Sequence, residues 1–216
     1  MRADVSKLRE DYRQHGLHRA DLAEDPIAQF DEWFHGWLAI EPYDAAAMTV
    51  ATAGADGQPD VRYVLCRGYD RRGFVFYTNY TSVKATQLEA NPRAALCFGW
   101  LDLARQVRVR GTVERVDDAE SDEYWAGRPR GSRVGAWASD QSEVVANRAE
   151  LDRHLSDVEQ RFGEGDVPRP DFWGGFRVVH QEVEFWQGQT DRLHDRFRYR
   201  RNDRNPTGWQ IDRLSP

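Results

Sequence analysis

Residues 47–79 read AMTVATAGADGQPDVRYVLCRGYDRRGFVFYTN, and this stretch decides the fold class. It contains three runs rich in β-branched and aromatic residues, at 47–53, 61–67 and 74–79. Glycine and aspartate, which favour tight turns, lie between these runs. Short strands divided by such turns are typical of an antiparallel β-meander. The stretch therefore predicts neighbouring antiparallel strands.

The remainder of the chain continues the strand pattern and adds helices. Further strands are predicted at 94–100, 106–116, 176–180, 183–188, 193–201 and 209–214. Helices are predicted at 4–15, from Pro26 onwards, and at 81–92, 118–127 and 142–162, with a loop at 127–135. We see no internal repeat, so we expect a single domain over residues 1–216. Many antiparallel strands with inserted helices predict a mainly β protein, either a barrel or a sheet with helical additions.

Composition and charge exclude several classes of protein. The 216 residues carry a formal net charge of −6, whereas nonspecific binding of DNA or RNA needs an extended positive field. No apolar run is long enough to cross a membrane, and the N-terminus lacks the apolar region of a signal peptide. Cys66 and Cys97 each lie in an apolar run, which favours buried thiols. We expect a cytoplasmic protein that binds neither nucleic acid nor membrane.

One basic stretch stands out in this acidic chain. Residues 184–201 read EFWQGQTDRLHDRFRYRR. In a strand, alternation would place Arg192, His194, Arg196 and Arg198 on one face. Such a face needs water or a bound anion to balance it, and arginine suits phosphate because its planar fork donates two hydrogen bonds. Both interpretations remain open at this point, a solvated face or an anion site.

Two further elements favour the anion site. Tyr77, Thr78, Ser82 and Lys84 surround a strand end and a helix start, where free N–H groups can bind phosphate. The segment from Arg128 to Ser132 is also basic and carries a hydroxyl. Three such elements in one acidic chain predict binding of more than one phosphate. The histidines form no metal-ligand set, and we find no P-loop or dinucleotide-binding motif.

Five segments in order carry a family resemblance: FYTNYTSVKATQLEANPRAAL, RQVRVRGTVERV, RPRGSRVGAWASDQS, FWGGFRV and EFWQGQTDRLHDRFRY. They resemble the pyridoxine/pyridoxamine 5'-phosphate oxidases, FMN enzymes of vitamin B6 metabolism, and the likeness extends over nearly the whole chain. The resemblance implies a mainly β, antiparallel FMN-binding split β-barrel with N-terminal and inserted helices. It also implies a homodimer with FMN at the subunit interface, and residues 1–25 as a mobile N-terminal segment.

The resemblance also assigns site residues. On FMN-contacting positions fall Arg62, Arg67, Tyr77, Thr78, Ser82, Lys84, Gln106, Gln141, Ser142, Trp186 and Arg196. On substrate-binding positions fall Arg9, Tyr12, Arg67, Tyr124, Arg128, Ser132, Arg192 and His194. Arg192 and His194 are the implied catalytic residues, and no metal is implied. Two positions depart from the family pattern, since Arg67 replaces the usual lysine and Val83 replaces a common arginine.

The implied reaction is oxidation of pyridoxine or pyridoxamine 5'-phosphate, both phosphorylated B6 vitamers, to pyridoxal 5'-phosphate. A hydride would pass from the C4' carbon to flavin N5, and dioxygen would then accept the electrons to give hydrogen peroxide. Two alternatives remain. The chain could be a related split-barrel flavin oxidase of the phenazine-biosynthesis type, or a noncatalytic protein that binds FMN or pyridoxal phosphate.

Overall fold

The structure, a computed structural model, describes residues 16–216. Two predicted substrate residues, Arg9 and Tyr12, therefore lie outside the described residues, and so does the predicted helix at 4–15. Nothing in the structure tests these three predictions or the expectation for the segment before residue 16.

Nine strands form one sheet in the described chain. They are β1 (Ala47–Ala53), β2 (Pro59–Leu65), β3 (Gly68–Asp70), β4 (Gly73–Asn79), β5 (Arg93–Trp100), β6 (Arg105–Arg115), β7 (Trp173–Gln187), β8 (Asp195–Arg201) and β9 (Trp209–Arg213). The strand order is β2-β1-β5-β6-β7-β4-β3, with β8 beside β7 and β9 beside β8. The pairs β3–β4, β4–β7, β7–β8 and β8–β9 are all antiparallel.

Five α-helices accompany these strands in the described residues. They are α1 (Pro26–Leu38), α2 (Val83–Ala90), α3 (Asp118–Ala126), α4 (Arg130–Ala138) and α5 (Arg148–Phe162). The start of α1 is as predicted, because the Asp25 carboxylate accepts hydrogen bonds from the backbone N–H groups of Ile27 and Ala28. Pro26 occupies the first turn, where its missing N–H costs nothing.

Two predictions about helices were wrong in their limits. The predicted loop at 127–135 contains the start of α4, because Val134 is buried and its packing outweighs the helix-weakening effect of Gly131 and Gly135. The predicted helix at 142–162 begins only at Arg148. Its N-cap is Asn147, whose side chain accepts a hydrogen bond from a first-turn N–H group.

Two predictions about strands also needed correction. Residues 173–187 form the single strand β7 rather than two strands, because pairing continues through the polar residues Gln181 and Glu182. The first half of β7 pairs with β4 and the second half pairs with β8. The predicted strand at 193–201 begins only at Asp195, since residues 190–192 form a short 3₁₀ turn.

The chain folds as two compact units. The first unit contains the described residues up to Thr49 together with Leu96–Arg110 and His180–Pro216. The second unit contains Val50–Ala95 and Gly111–Val179. The prediction of one domain over residues 1–216 stays a prediction.

The core of the first unit is aromatic. The rings of Phe30 and Phe98 meet edge to face with centroids 4.8 Å apart. Trp33 meets Phe185 in the same way at 5.2 Å. Trp100 is fully buried beside Phe30. Edge-to-face packing suits the charge distribution of aromatic rings, so these contacts add to the free energy gained by burial.

The second unit has its own core of Trp125, Val134, Val167 and Trp173. The Trp125 indole donates a hydrogen bond to the Val167 carbonyl at 2.8 Å, which joins α3 to the segment before β7. A glycine is required next to this core, because a Cβ at Gly175 would lie 2.9 Å from the Tyr77 ring.

No helix in residues 16–216 is long and apolar enough to span a membrane. Cys66 and Cys97 are free thiols, and they are partly rather than fully buried. Burial raises the pKa of the Cys66 thiol to about 11, so this group stays protonated at neutral pH.

We expect Phe30→Ala to lower the free energy of unfolding by about 3–5 kcal/mol, because it leaves a cavity within the aromatic core of the first unit. Urea denaturation followed by intrinsic fluorescence would measure the loss. Phe34→Ala is the matched control, because Phe34 lies one turn away on α1 but is only partly buried. Equal losses in the two variants would contradict the assignment of Phe30 to the core.

Candidate active site

The second compact unit contains a cavity of about 280 Å³ that is lined by eight of the predicted site residues. Its lining side chains come from β2, β4, α2 and α3 and from the loops beside them. They are Arg62, Tyr63, Val64, Leu65, Arg67, Tyr77, Thr78, Lys84, Tyr124, Arg128 and Gln141. Four of these side chains are cationic, and no carboxylate from the described residues lines the cavity. Such a cavity attracts anions.

Arg62 enters the cavity from β2 and is held by oxygens on two neighbouring elements, β1 and α2, and on its own strand. Its Nη1 donates to Thr52 Oγ1 at 2.6 Å and to the Val50 carbonyl at 3.3 Å. Its Nη2 donates to Gln87 Oε1 at 3.3 Å and forms an ion pair with Asp60. The guanidinium is therefore fixed in position before any ligand arrives.

Lys84 lies in the first turn of α2 and points at three neutral oxygen atoms. Its Nζ lies 2.6 Å from Gln141 Oε1, 3.2 Å from Thr78 Oγ1 and 3.4 Å from the hydroxyl of Ser82. Burial, and secondarily the charge of Arg62, lower the pKa of the Lys84 ammonium to about 8. A partly buried ammonium that has no carboxylate partner among residues 16–216 is a good receptor for a phosphate oxygen.

Ser82 and Ser142 lie at the start of α2, close to Lys84. Ser82 is fully buried and donates its hydroxyl hydrogen bond to the Asn79 carbonyl at 2.7 Å, so it leaves the helix N-terminus uncapped. Ser142 Oγ accepts a hydrogen bond from the Val83 N–H at 3.3 Å. Ser142 has a φ of 80°, which is uncommon outside glycine and occurs most often at functional sites.

An aromatic stack forms another wall of the cavity. The rings of Tyr77 and Tyr124 lie parallel, with centroids 3.9 Å apart, and Trp173 continues the stack at 5.5 Å from Tyr77. Burial, and secondarily the charge of Glu120, raise the pKa of the Tyr77 phenol to about 12. The phenol therefore remains protonated and available as a hydrogen-bond donor at neutral pH.

Arg128 lies beside this stack, with its guanidinium carbon 4.6 Å from the centroid of the Trp173 ring. Burial lowers the pKa of Arg128, and its Nη2 donates to the Ser132 carbonyl at 3.0 Å. Its Nε atom is buried and has no hydrogen-bond partner among residues 16–216. The Trp173 ring and the Ser132 carbonyl therefore hold this guanidinium in place at the cavity wall.

A second cavity of about 380 Å³ adjoins the same wall and shares Tyr77, Thr78, Arg128 and Gln141 with the first. Ser132 lines this second cavity but not the first. The predicted substrate residues Tyr124, Arg128 and Ser132 therefore lie together, but they are divided between two connected spaces.

An ion pair that the sequence reasoning missed holds α3 in place. Arg177 on β7 is only 5% exposed, and its Nη2 donates to both carboxylate oxygens of Glu120 at 2.7 and 2.8 Å. Glu120 lies one helical turn before Tyr124, so this pair fixes the face of α3 that meets Tyr77. A single arginine in the apolar run at 176–179 was the available signal, since a charge in a buried strand needs a partner.

The remaining predicted residues lie in the first compact unit. The rings of Trp186 and His194 lie 4.7 Å apart, and the Gln189 N–H donates to His194 Nδ1 at 3.1 Å. Arg196 pairs with Trp186 across β8 and β7. Gln106 lies partly buried on β6, and the structure gives its side chain no hydrogen bond with residues 16–216.

Carboxylates on neighbouring strands neutralise most of the arginine charges on this face of β8. The sequence analysis considered only water or a bound anion for this role. Glu184, with a side chain only 7% exposed, accepts from both Nε and Nη2 of Arg196 at 2.8 Å and lies 3.5 Å from Arg108. Arg198 forms an ion pair with Asp212 at 3.1 Å. These arginines are therefore largely neutralised within the first unit.

The predicted placement of Arg192 on the same strand face was wrong. Arg192 ends the 3₁₀ turn before β8, and both Asp191 and Arg192 have positive φ, at 55° and 61°. Arg192 is exposed and forms no ion pair with another residue in 16–216. The backbone turn thus separates this guanidinium from the neutralised arginines and leaves its donors open to a ligand.

Comparisons with known proteins agree with this chemistry. A family model described as pyridoxamine 5'-phosphate oxidase matches residues 40–162. A second, described as the pyridoxine 5'-phosphate oxidase C-terminal dimerisation region, matches residues 173–216. The pyridoxine/pyridoxamine 5'-phosphate oxidase of Burkholderia vietnamiensis is 51% identical over 98% of this chain and 99% of its own. The enzyme of the same name from Rubrobacter xylanophilus is 51% identical over 100% of this chain and 98% of its own.

Two solved structures share the fold. PhzG from Burkholderia lata 383, in complex with tetrahydrophenazine-1-carboxylic acid, has a TM-score of 0.85 and 28% identity, over 91% of this chain and 95% of its own. A pyridoxamine 5'-phosphate oxidase-related, FMN binding protein from Nostoc punctiforme has a TM-score of 0.69 and 18% identity, over 91% of this chain and 99% of its own. The predicted fold class, a mainly β antiparallel split β-barrel with added helices, is confirmed.

The two matched regions cover most of the chain, and the curated relatives align over nearly their full length and are named as oxidases. The chain belongs to the pyridoxamine 5'-phosphate oxidase family.

Proposed function

We propose that this protein is an FMN-dependent oxidase that converts pyridoxamine and pyridoxine 5'-phosphates to pyridoxal 5'-phosphate. Dioxygen would be the electron acceptor, with hydrogen peroxide as the second product. The observation that carries the proposal is the cavity of the second unit, where four cationic side chains converge beside the Tyr77–Tyr124 stack. A phosphorylated aromatic molecule matches both features, since its phosphate needs cations and its ring needs a flat wall.

The residues present fit FMN. Its phosphate would bind Arg62 and Lys84, which are fixed mainly by neutral oxygens, and Ser142 would contribute its hydroxyl. Further contacts are assigned to Arg67, Tyr77, Thr78, Ser82, Gln106, Gln141, Trp186 and Arg196. Bound FMN would supply the two-electron redox chemistry, which no amino-acid side chain provides. The exposed Val83 supplies no charge here, so Arg62 and Lys84 carry more of the phosphate binding.

The substrate phosphate would bind Arg67, Tyr124, Arg128 and Ser132. The Arg128 guanidinium is held against Trp173, and its Nη2 donates to the Ser132 carbonyl at 3.0 Å. A planar guanidinium that is already oriented loses little freedom on binding a phosphate. Arg67 is exposed at the rim of the cavity and replaces the lysine of the family pattern. It keeps the positive charge but offers a different geometry to the phosphate.

Arg192 and His194 would act at the reacting end of the substrate. Arg192 is assigned to orient the C4' substituent, and His194 to donate a hydrogen bond to the substrate. His194 is itself held by the Gln189 N–H, whose hydrogen bond Nδ1 accepts, so the neutral ring carries its proton on Nε2. Because the C-terminal region matches a dimerisation model, we propose a homodimer with FMN at the subunit interface.

A related flavin oxidase of the phenazine-biosynthesis type is the second candidate. One observation favours it, since the solved relative PhzG has a TM-score of 0.85. The identity with PhzG is 28%, compared with about 50% for the curated B6 phosphate oxidases. Sequence similarity therefore favours the B6 vitamers.

The first experiment is oxygen consumption by the FMN-loaded protein with pyridoxamine phosphate and pyridoxine phosphate. We expect one pyridoxal phosphate and one peroxide for each dioxygen consumed. Pyridoxine phosphate loses two electrons and two protons directly, whereas pyridoxamine phosphate also consumes one water and releases ammonia. A flavin-loaded protein that oxidises neither vitamer would refute the proposal, and oxidation of tetrahydrophenazine-1-carboxylic acid instead would support the second candidate.

We expect Arg192→Leu to retain FMN and to lower kcat about a hundredfold or more, because an orienting group acts on the reacting atoms. Arg128→Ala serves as the comparison and should mainly raise KM, because Arg128 is assigned to the remote phosphate. Steady-state kinetics with pyridoxine phosphate would separate the two effects. An unchanged kcat/KM in Arg192→Leu, or an unchanged KM in Arg128→Ala, would remove that residue from its assigned role.

FMN binding should weaken as the pH rises through 8. The pKa of Lys84 is lowered to about 8, so its ammonium loses its proton in this range and no longer attracts the phosphate. We expect the Kd to rise by about tenfold between pH 7 and pH 9. Quenching of FMN fluorescence on titration with apoprotein measures this Kd.

Lys84→Arg is the matched control for this pH dependence, because its guanidinium stays charged over the whole range. Its Kd should therefore change much less between pH 7 and pH 9. The same slope in both proteins would show that Lys84 does not control the pH dependence.

A further inference from the structure

Asp60 places a carboxylate against the guanidinium of Arg62. The two residues are two positions apart on β2, so their side chains share one face of the strand. Asp60 Oδ2 forms an ion pair with Arg62 Nη2. The Asp60 side chain is 47% exposed, whereas that of Arg62 is 19% exposed. The carboxylate therefore approaches Arg62 from the solvent side.

Arg62 does not depend on Asp60 for its position. Thr52 Oγ1 accepts from Nη1 at 2.6 Å, and the Val50 carbonyl accepts from the same nitrogen at 3.3 Å. Gln87 Oε1 accepts from Nη2 at 3.3 Å. These neutral acceptors lie on β1 and α2, and they orient the guanidinium without reducing its charge.

Asp60 also influences the second cation of the site. Its negative charge stabilises the protonated form of Lys84, which is a sign of electrostatic coupling between them. Arg62 and Lys84 both line the cavity, whereas no carboxylate of the described residues does. Asp60 does not line the cavity, but its negative charge interacts with Arg62 and Lys84, the two cations to which we assign phosphate binding.

We propose that Asp60 is an affinity-tuning residue, an internal anion that competes with the ligand phosphate for Arg62 and so weakens cofactor binding. The inference rests on the proposed function, because it takes the FMN phosphate as the ligand of Arg62 and Lys84. A phosphate must share Nη2 of Arg62 with the Asp60 carboxylate, and like charges close together repel. Replacing the carboxylate by a neutral amide removes the repulsion while Arg62 keeps its neutral acceptors.

The opposite role predicts the opposite sign. If Asp60 acted by orienting Arg62, its loss would weaken binding, as loss of an orienting group does. General damage to the site would also weaken binding. A gain of affinity is therefore a result that neither a structural role nor misfolding produces.

The test is Asp60→Asn, with FMN affinity of the apoprotein measured by fluorescence quenching. The titration is done at pH 6.5, below the pKa of about 8 for Lys84, so that Lys84 remains charged. We expect the Kd to fall roughly two- to fivefold at low salt, a modest change because Asp60 is half exposed and screened by water. The difference should shrink in about 0.5 M salt, where exposed charges are screened within a few ångströms.

Asp56→Asn is the matched control. Asp56 lies in the turn between β1 and β2 and is exposed, and its side chain accepts a hydrogen bond from the Gln58 N–H. This variant removes the same charge from the same hairpin but not from Arg62, so we expect an unchanged Kd. An unchanged or higher Kd in Asp60→Asn would overturn the inference, and so would an equal gain in both variants.

Inorganic phosphate separates failure of this inference from failure of the proposed function. If the wild-type apoprotein bound no FMN, the proposed function would fail, but the unfolding temperature could still be measured against phosphate concentration. Ligands that bind only the folded state raise this temperature. At each phosphate concentration, the unfolding temperature of Asp60→Asn must then rise more than the unfolding temperatures of wild type and of Asp56→Asn. An equal or smaller rise would overturn the role of Asp60.

Discussion

The site depends on holding several positive charges close together without cancelling them. Each cation of the cavity repels the others, and burial raises the free energy of every charged form. The protein meets this constraint mainly with neutral oxygens: hydroxyls, amides and carbonyls fix Arg62 and Lys84. The lowered pKa of Lys84 records the remaining repulsion and burial. Binding of an oxyanion relieves this repulsion between the cations, which favours binding.

The first unit handles its arginines differently. Glu184 and Asp212 neutralise Arg196 and Arg198, so this part of the sheet carries little excess charge. Arg192 forms no ion pair with the part of the chain that the structure describes, because the turn before β8 directs the chain away from the strand pairing. One sequence stretch of similar residues therefore contains arginines that are paired with carboxylates of the sheet and one arginine that lies outside this pairing.

The period of the hydrophobic pattern was enough to predict α1 and most strands, because local alternation decides which face is buried. The predicted meander over 47–79 was wrong: β1 and β2 are neighbours, but β4 pairs with β3 and β7 rather than with β2, because strand order depends on pairing with distant segments. It failed at β7, where pairing with β4 and then β8 carries the strand through two polar residues. Among the cations of the cavity, Lys84 and Arg128 were predicted from the local pattern, and Arg62 and Arg67 only from the family resemblance. Their supports were not, because partners such as Arg177 and Glu120 are distant in sequence and only the folded chain brings them together. Asp60 gave no signal, since it lay just before the predicted strand at 61–67, where an exposed aspartate is common.

The two consecutive left-handed residues before β8 restrict what sequence can occupy this turn. Asp191 and Arg192 both have positive φ, a conformation that aspartate, asparagine and glycine tolerate and β-branched residues do not. In a randomised library, the residues recovered at position 191 should therefore be those that tolerate a positive φ, whether or not they carry a carboxylate. Substitutions around Arg192 are restricted in the same way, because a valine or isoleucine at 191 would change the backbone of the turn and so the direction of the Arg192 side chain.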